Sequence, residues 1–185
     1  ILAKGPNITK GYLNRPEATA AAFDDEGWFC TGDLGAIDAD GFVRITGRKK
    51  ELIKTSGGKY VAPNKIEGQI KLLPIIQEAV VVGDRRNYCV ALIAIDPEEL
   101  AEWAKQIGIP ADQDNDRVRE AIDTHIAKVN EGLAKFEDIK YWRLLPEAMS
   151  VDNGLLTASL KVKRKIVEER FAELIDSMYA SANKP

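Results

Sequence analysis

The apolar residues change period several times after residue 50, and that alternation constrains the fold more than any other feature of the chain. Residues 78–82 (EAVVV) and 90–95 (VALIAI) are short and nearly all apolar, which reads as buried strands. Around them lie stretches with apolar residues at helical spacing. Residues 63–73 start with Pro63 and carry Ile66, Ile70 and Leu73. Residues 97–107 follow an Asp96 cap, and Glu98 and Glu99 suit a helix N-terminus. Residues 115–136 carry Val118, Ile122, Ile126 or His125, Val129, Leu133 and Phe136. Residues 163–179 carry Val167, Phe171, Leu174 and Met178 on one face. Short strands are expected at 51–55 and 139–145, with a turn at Gly154. Strands alternating with helices predict an α/β or α+β unit from about residue 50 onward.

Residues 1–46 read differently, as strands 1–3, 28–31, 35–37 and 42–46 with one short helix at 17–23 behind Pro16. Turns are expected at 24–27 and 38–41. In 42–46, Phe42, Arg44 and Thr46 share one face and Val43 and Ile45 the other. The boundary falls at 47–50. The opening ILAKG reads as the middle of a strand, without an initiator Met, so the chain is read as a piece of a longer one.

Composition excludes several classes. A chain of 185 residues that is 45% hydrophobic and 30% charged can bury a sizeable core. A net charge of −3 implies no general attraction to nucleic acid or anionic membrane, and the basic cluster 161–165 is too narrow to act as a nucleic-acid surface. The longest apolar runs, 79–83 and 89–95, are too short to span a bilayer, and no signal peptide is visible. Cys30 and Cys89 have no metal-type spacing and read as reduced thiols of a cytoplasmic protein. His125, the only histidine, lacks a partner motif, so a surface or half-buried role is expected; Trp103 and Trp142 read as core or half-core aromatics.

Three segments carry candidate chemistry. GRKKELIKTSGGKYVAP (47–63) crowds lysines around a Gly-Gly pair, yet it is not a Walker loop: Ile53 stands where the first Gly belongs, and Tyr60 follows Lys59. The TGD at 31–33 sets a carboxylate after a glycine, where its two oxygens suit both hydroxyls of a ribose; a turn carboxylate satisfied by its own backbone is the plainer alternative. LLTASLKVKR (155–164) sets Lys161 after a turn and before a basic helix start. That arrangement is unfavourable for the helix itself, and a solvated charged face is the plainer alternative.

Taken in order, and preceded by GPNITKGY (5–12) and NRPEAT (14–19), these segments resemble the C-terminal part of the adenylate-forming superfamily of acyl-CoA synthetases, luciferases and peptide-synthetase adenylation domains. Within it, GRKKELIKTSGGKYVAP and LLTASLKVKR look most like long-chain fatty acyl-CoA synthetases. The resemblance covers nearly the whole chain and is least specific at about 97–135. It implies an α+β fold: residues 50–185 as a mobile C-terminal lid domain with a small sheet flanked by helices, and residues 1–49 as a partial β subdomain ending the large N-terminal adenylation domain.

The resemblance also implies an activity and roles. A fatty acid carboxylate attacks the α-phosphate of ATP to give acyl-adenylate, and the thiol of coenzyme A then displaces AMP. Asp33 matches the ribose-binding aspartate and Arg48 a nucleotide-contacting arginine. Lys161 matches the lysine that reaches the α-phosphate, with Thr157 ahead of it in the family's Thr-x-x-x-Lys pattern; Ala158 departs from the frequent Pro. Lys50 falls on the hinge on which the lid swings between half-reactions. Ser56, Gly57 and Gly58 match the surface that passes the pantetheine arm, with a plain hairpin turn as the alternative for the glycines. Lys54 matches a lysine serving the second half-reaction. Lys59 suits either the coenzyme's phosphates or solubility, and solubility is the simpler reading of Lys49 and Lys65. ATP, coenzyme A and Mg2+ entering with ATP through the missing domain are implied, and the fragment alone is expected to be inactive. Long-chain substrates partition into lipid, so peripheral membrane contact stays open. The rival readings are an acyl-AMP ligase delivering to a carrier protein and a non-catalytic docking module; intact Asp33, Arg48 and Lys161 argue against the second.

Overall fold

In the computed structural model, which describes residues 1–180, the chain divides into two units between Leu52 and Ile53. The first contains β1 (Leu2–Ala3), α1 (Pro16–Ala22), β2 (Phe29–Cys30), β3 (Asp33–Ile37) and β4 (Val43–Arg48), followed by a single 3-10 turn, Lys49–Glu51. β1 pairs with β2 and β3 with β4, both antiparallel. Pro16 opens α1, where its missing N–H costs nothing. The β3–β4 turn closes through the Gly41 N–H on the Asp38 carbonyl at 3.0 Å, with Gly41 at φ 86°. The alternation expected over 42–46 does not appear as an inner and an outer face: Val43, Arg44, Ile45 and Thr46 are all exposed, and a bulge interrupts the pairing at Thr46. Ile37, Phe42 and Ile45 are 73%, 70% and 70% exposed, and no residue of 1–52 is buried within the described structure.

The second unit holds β5 (Ile53–Lys54), β6 (Tyr60–Val61), α2 (Pro63–Ile70), β7 (Ile76–Val82), β8 (Cys89–Ile95), α3 (Pro97–Ile107), α4 (Asp116–Glu131), β9 (Ile139–Leu144), α5 (Arg164–Arg170) and α6 (Ala172–Ala180). The mixed α+β architecture is the one expected. Its centre is a three-stranded sheet in the order β7-β8-β9. β7 and β8 are antiparallel neighbours joined by a short turn; β9 runs parallel to β8, which requires a long crossover, and α3 and α4 supply it.

Both faces of the sheet are buried, which explains why its central strands read as continuous apolar runs. Ala79, Val81, Ala91, Ile93 and Ile95 face one layer, with Ile66 and Ile70 of α2, Leu100 of α3 and Val118, Ile122, Ile126 and Val129 of α4. Val80, Val90, Leu92 and Ala94 face the other, with Val167 of α5, Ile175 and Met178 of α6, and Leu145, Met149, Leu155 and Leu156. Trp103 and Trp142 pack partly buried against the first layer.

The helix ends follow local chemistry. The Asp96 carboxylate accepts from the Glu98 and Glu99 N–H groups at 2.9 and 3.2 Å, and Gly108 ends α3 in the left-handed conformation at φ 72°. Asn115 caps α4 through the Arg117 N–H. His125 is half-buried, and its Nε2 lies 3.0 and 3.1 Å from the Gln69 and Ile70 carbonyls. Two carbonyl acceptors require Nε2 to carry the proton, so His125 donates to the end of α2.

Several boundaries differ from expectation, and the helix expected over 115–136 ends at Glu131, where the Gly132 N–H turns back to the Val129 carbonyl at 3.1 Å. The strand expected at 51–55 begins as the 3-10 turn and is reduced to Ile53–Lys54. The helix from Pro63 ends at Ile70 rather than Leu73, ahead of Pro74, which disfavours helical backbone in the residue before it. The helix expected over 163–179 is two, separated at Phe171, whose φ of −108° and ψ of 25° lie off the helical values. Among the described residues no helix is long and apolar enough to cross a membrane.

Leu92 is fully buried in the central strand. Leu92→Ala is therefore expected to destabilise the second unit by about 2–5 kcal/mol in urea unfolding followed by tryptophan fluorescence; a loss below about 1 kcal/mol would contradict a two-faced core. Burial pushes the Cys89 thiol up to about 11, whereas Cys30 is exposed. A thiol reagent at neutral pH is expected to modify Cys30 in the native chain and Cys89 only after unfolding, as read by peptide mass.

Candidate functional site

Asp33 and Arg48 are brought together by strand register. They are directly opposed across β3 and β4, and Arg48 Nε lies 2.9 Å from Asp33 Oδ1. Gly32, at φ 77°, allows the turn into β3, and the Thr31 hydroxyl accepts the Asp33 N–H at 3.1 Å. The Asp33 carboxylate thus has a charged partner rather than only its own backbone. The Lys49 N–H bonds the Gly32 carbonyl at 2.8 Å, which starts the 3-10 turn carrying Lys50. Within this unit a cleft of about 770 Å³ is lined by Tyr12, Arg15, Thr31, Arg48 and Lys50, among others.

The Gly-Gly pair lies at the tip of the hairpin formed by β5 and β6. Ile53 and Val61, opposite each other, are both buried in the first core layer, whereas Lys54 and Tyr60 point out and the Lys54 ammonium sits 5.8 Å from the Tyr60 ring centre. Thr55 is buried, and its backbone takes hydrogen bonds at 2.9 Å from the Gly58 N–H and to the Lys59 carbonyl. Its hydroxyl adds a bond from the Lys59 N–H at 3.2 Å. The two glycines are not equivalent. Gly58 has φ 75° and needs to be glycine for the backbone; Gly57 does not, and a Cβ there would meet nothing closer than the Thr55 hydroxyl at 4.0 Å.

The turn after β7 braces this hairpin. The Arg85 N–H bonds the Lys54 carbonyl at 2.7 Å, and the Ser56 N–H bonds the Arg86 carbonyl at 2.9 Å. The Asp84 carboxylate accepts the Lys54 N–H at 3.2 Å, and the Ser56 hydroxyl lies 2.7 Å from Asn87 Oδ1. Ser56 is thus held by the brace, while Lys54 keeps its side chain exposed.

Lys161 closes a tight turn rooted on the opposite face of the sheet. Leu156 and Val162 pair as an antiparallel bridge, and Leu155 and Leu156 are buried in the second core layer. The Thr157 N–H bonds the Lys161 carbonyl at 2.8 Å, and the Thr157 hydroxyl accepts the Lys161 N–H at 3.0 Å. Thr157 therefore shapes the turn. Leu160 has φ 58°, a conformation costing about 1–2 kcal/mol for a residue with a side chain. The Lys161 side chain is exposed and makes no ion pair with a described residue.

The basic helix start is not a uniformly solvated face. Arg164 Nη2 contacts both Glu67 oxygens, at 2.6 and 2.8 Å, and Nη1 donates to the Val81 carbonyl at 2.9 Å. Glu67 Oε1 also accepts the Val81 N–H at 2.7 Å. Burial pushes the Glu67 carboxyl above the ordinary carboxylate range, against the opposing pull of Arg164 and the Val81 amide. Lys165 remains exposed, beside Glu169. Sequence reasoning missed both Glu67 and the 84–87 brace. Glu67 left a signal: it sits among Pro63, Ile66 and Ile70 on the buried stripe of α2, where a carboxylate must find a partner.

The model of the AMP-binding enzyme C-terminal domain family matches residues 50–183. Long-chain-fatty-acid–CoA ligase FadD15 of Mycobacterium tuberculosis is 45% identical over 186 residues, covering 97% of this chain and 31% of its own length. Long-chain-fatty-acid–CoA ligase 1 of Cavia porcellus is 37% identical, covering 98% of this chain and 27% of its own length. Among solved structures, the A domain of carboxylic acid reductase from Segniliparus rugosus, in complex with AMP and a co-purified carboxylic acid, superposes with a TM-score of 0.80 at 29% identity, over 98% of this chain and 28% of that one. The chain thus spans less than a third of the length of these curated relatives.

The two glycines separate in a stability test. Gly58→Ala is expected to cost about 1–2 kcal/mol in chemical unfolding, and Gly57→Ala less than about 0.5 kcal/mol; equal costs would contradict the hairpin geometry.

Proposed function

The chain belongs to the AMP-binding enzyme C-terminal domain family, the C-terminal part of the adenylate-forming superfamily, and on that premise we propose that it is the C-terminal portion of an ATP-dependent long-chain fatty acid–CoA ligase. In this reading residues 1–49 end the large adenylation domain and residues 50–185 are the mobile lid. The observation that carries it is the rooting of the two loops. The Lys161 turn and the Gly57–Gly58 hairpin grow from opposite faces of one sheet, so one rigid body can offer different chemistry to the same intermediate when turned.

In the first half-reaction the fatty acid carboxylate attacks the α-phosphorus of ATP and pyrophosphate leaves. Asp33, steadied by Arg48, accepts hydrogen bonds from the ribose hydroxyls, and Arg48 adds a nucleotide contact. The exposed Lys161 ammonium stabilises negative charge as it builds on the α-phosphate oxygens. The lid then turns at Lys50. In the second half-reaction the thiol of coenzyme A attacks the acyl carbonyl and AMP departs. The Gly57–Gly58 hairpin lines the pantetheine path, with Ser56 on its braced side and Lys54 projecting beside it. Gly57 supports this directly: the fold leaves room for a side chain there, and its absence lets another molecule approach the backbone. Among the described residues no cluster of His, Cys, Asp or Glu suits a metal ion, and magnesium would enter with ATP.

Three measurements test the reading. Residues 1–185 alone are expected to show no ATP–pyrophosphate exchange, and turnover would overturn the lid assignment. In the full-length enzyme, Lys161→Ala is expected to slow exchange by about 100-fold or more while sparing thioester formation from supplied acyl-adenylate; equal loss in both refutes its role. Lys50→Pro is expected to keep exchange and suppress thioester formation, and unimpaired thioester formation would rule out a hinge there.

A further inference from the structure

We propose that Glu67 and Arg164 are positioning residues for Lys161, holding its turn against the edge of β7 so that the ammonium is delivered at a fixed place. This rests on the adenylation role of Lys161. A lysine on an exposed turn is a point charge on a flexible stem, useful in a transition state only if its backbone is fixed. Leu155 and Leu156 anchor the chain before the turn, and after it Val162 packs on the same layer and the Lys163 N–H bonds the Leu155 carbonyl at 2.8 Å; these fix the turn to the core layer, and a separate attachment is needed to fix it to the edge of β7. Arg164 supplies that attachment three residues beyond Lys161.

Local chemistry does not explain an arginine here. A cation in the first turn of α5 opposes the helix dipole, and Lys163, at the cap position, provides no side-chain cap bond. Nor does stability alone explain it, because a buried ion pair is on average no better than apolar residues of the same volume. Geometry does. β7 is an edge strand, and the outward N–H and C=O of Val81 are taken by Glu67 and Arg164 respectively. The planar guanidinium meets three oxygens with two nitrogens, which fixes its orientation as well as its distance. Lysine in its place would keep the charge and lose the orientation.

The test uses the full-length enzyme and both half-reactions. Arg164→Lys and Glu67→Gln are expected to lower kcat for ATP–pyrophosphate exchange by about 10- to 100-fold with little change in KM for ATP. Thioester formation from supplied acyl-adenylate is expected to stay within about 2-fold of the parent enzyme. A brace that only stabilises the fold would instead depress both steps together and lower the melting temperature, and that result overturns the proposal. Arg164→Leu adds a harsher variant; if it fails to fold, Arg164→Lys decides. Adding Arg164→Lys to Lys161→Ala is expected to cause no further loss of exchange, because the pair acts through the lysine; additive losses would refute this. Lys161→Ala alone separates the two readings. If it abolishes exchange while Arg164→Lys and Glu67→Gln do not, the positioning role fails by itself; if it leaves exchange intact, the role of Lys161 fails and takes this inference with it.

Discussion

The second unit depends on how the free edge of β7 is closed. An edge strand exposes alternate N–H and C=O groups that must find partners, and at Val81 the partners are a carboxylate from α2 and a guanidinium from α5. Together the two side chains mimic a neighbouring strand, one accepting and the other donating. Because α2 packs on one face of the sheet and α5 on the other, the same contact fastens the two helical layers around the edge. Three residues further along, Asp84 takes the Lys54 N–H. The Lys161 turn is therefore tied to the end of β7 and the glycine hairpin to the turn that follows it.

The parts of the fold readable from sequence were those governed by short-range chemistry. Pro97–Ile107 matched its expected bounds because an aspartate cap, acidic first turn and terminal glycine are all local. β7 and β8 were recognisable because burial on both faces removes polar alternation. The failures came where a tertiary contact overrides local pattern. The basic run at 161–165 offers no sign that Arg164 turns inward while Lys165 stays out, because the difference is made by Glu67, distant in the chain. Likewise Gly57 and Gly58 are identical letters, and only the backbone angle separates a structural glycine from a permissive one. Of the candidate site, the Asp33–Arg48 pairing was not legible, because the strands read at 35–37 and 42–46 stop short of both residues and a bulge between Leu34 and Gly35 shifts the register, and the 84–87 brace was invisible because nothing in that turn looks catalytic.

The first unit illustrates the opposite limit. Its strands and turns follow local rules, yet its large side chains, Phe42 and Ile45 among them, find no cover among the described residues. Fifty residues of short hairpins cannot enclose their own apolar groups. The pairing of Asp33 with Arg48 survives there because strand register sets it without a core.

The distance along the chain between Glu67 and Arg164, 97 residues, has a consequence for the order of assembly. The β7–β8 hairpin is local and can form early, whereas β9 must await its crossover and the ion pair must await the last helices. During synthesis the N-terminal segments are made first, so the Val81 carbonyl at the edge of β7 lacks its Arg164 partner until the C-terminal helices arrive. The contact that closes the sheet edge also fixes the Lys161 turn, so the protein acquires that turn and its protection against edge-to-edge association in the same final event.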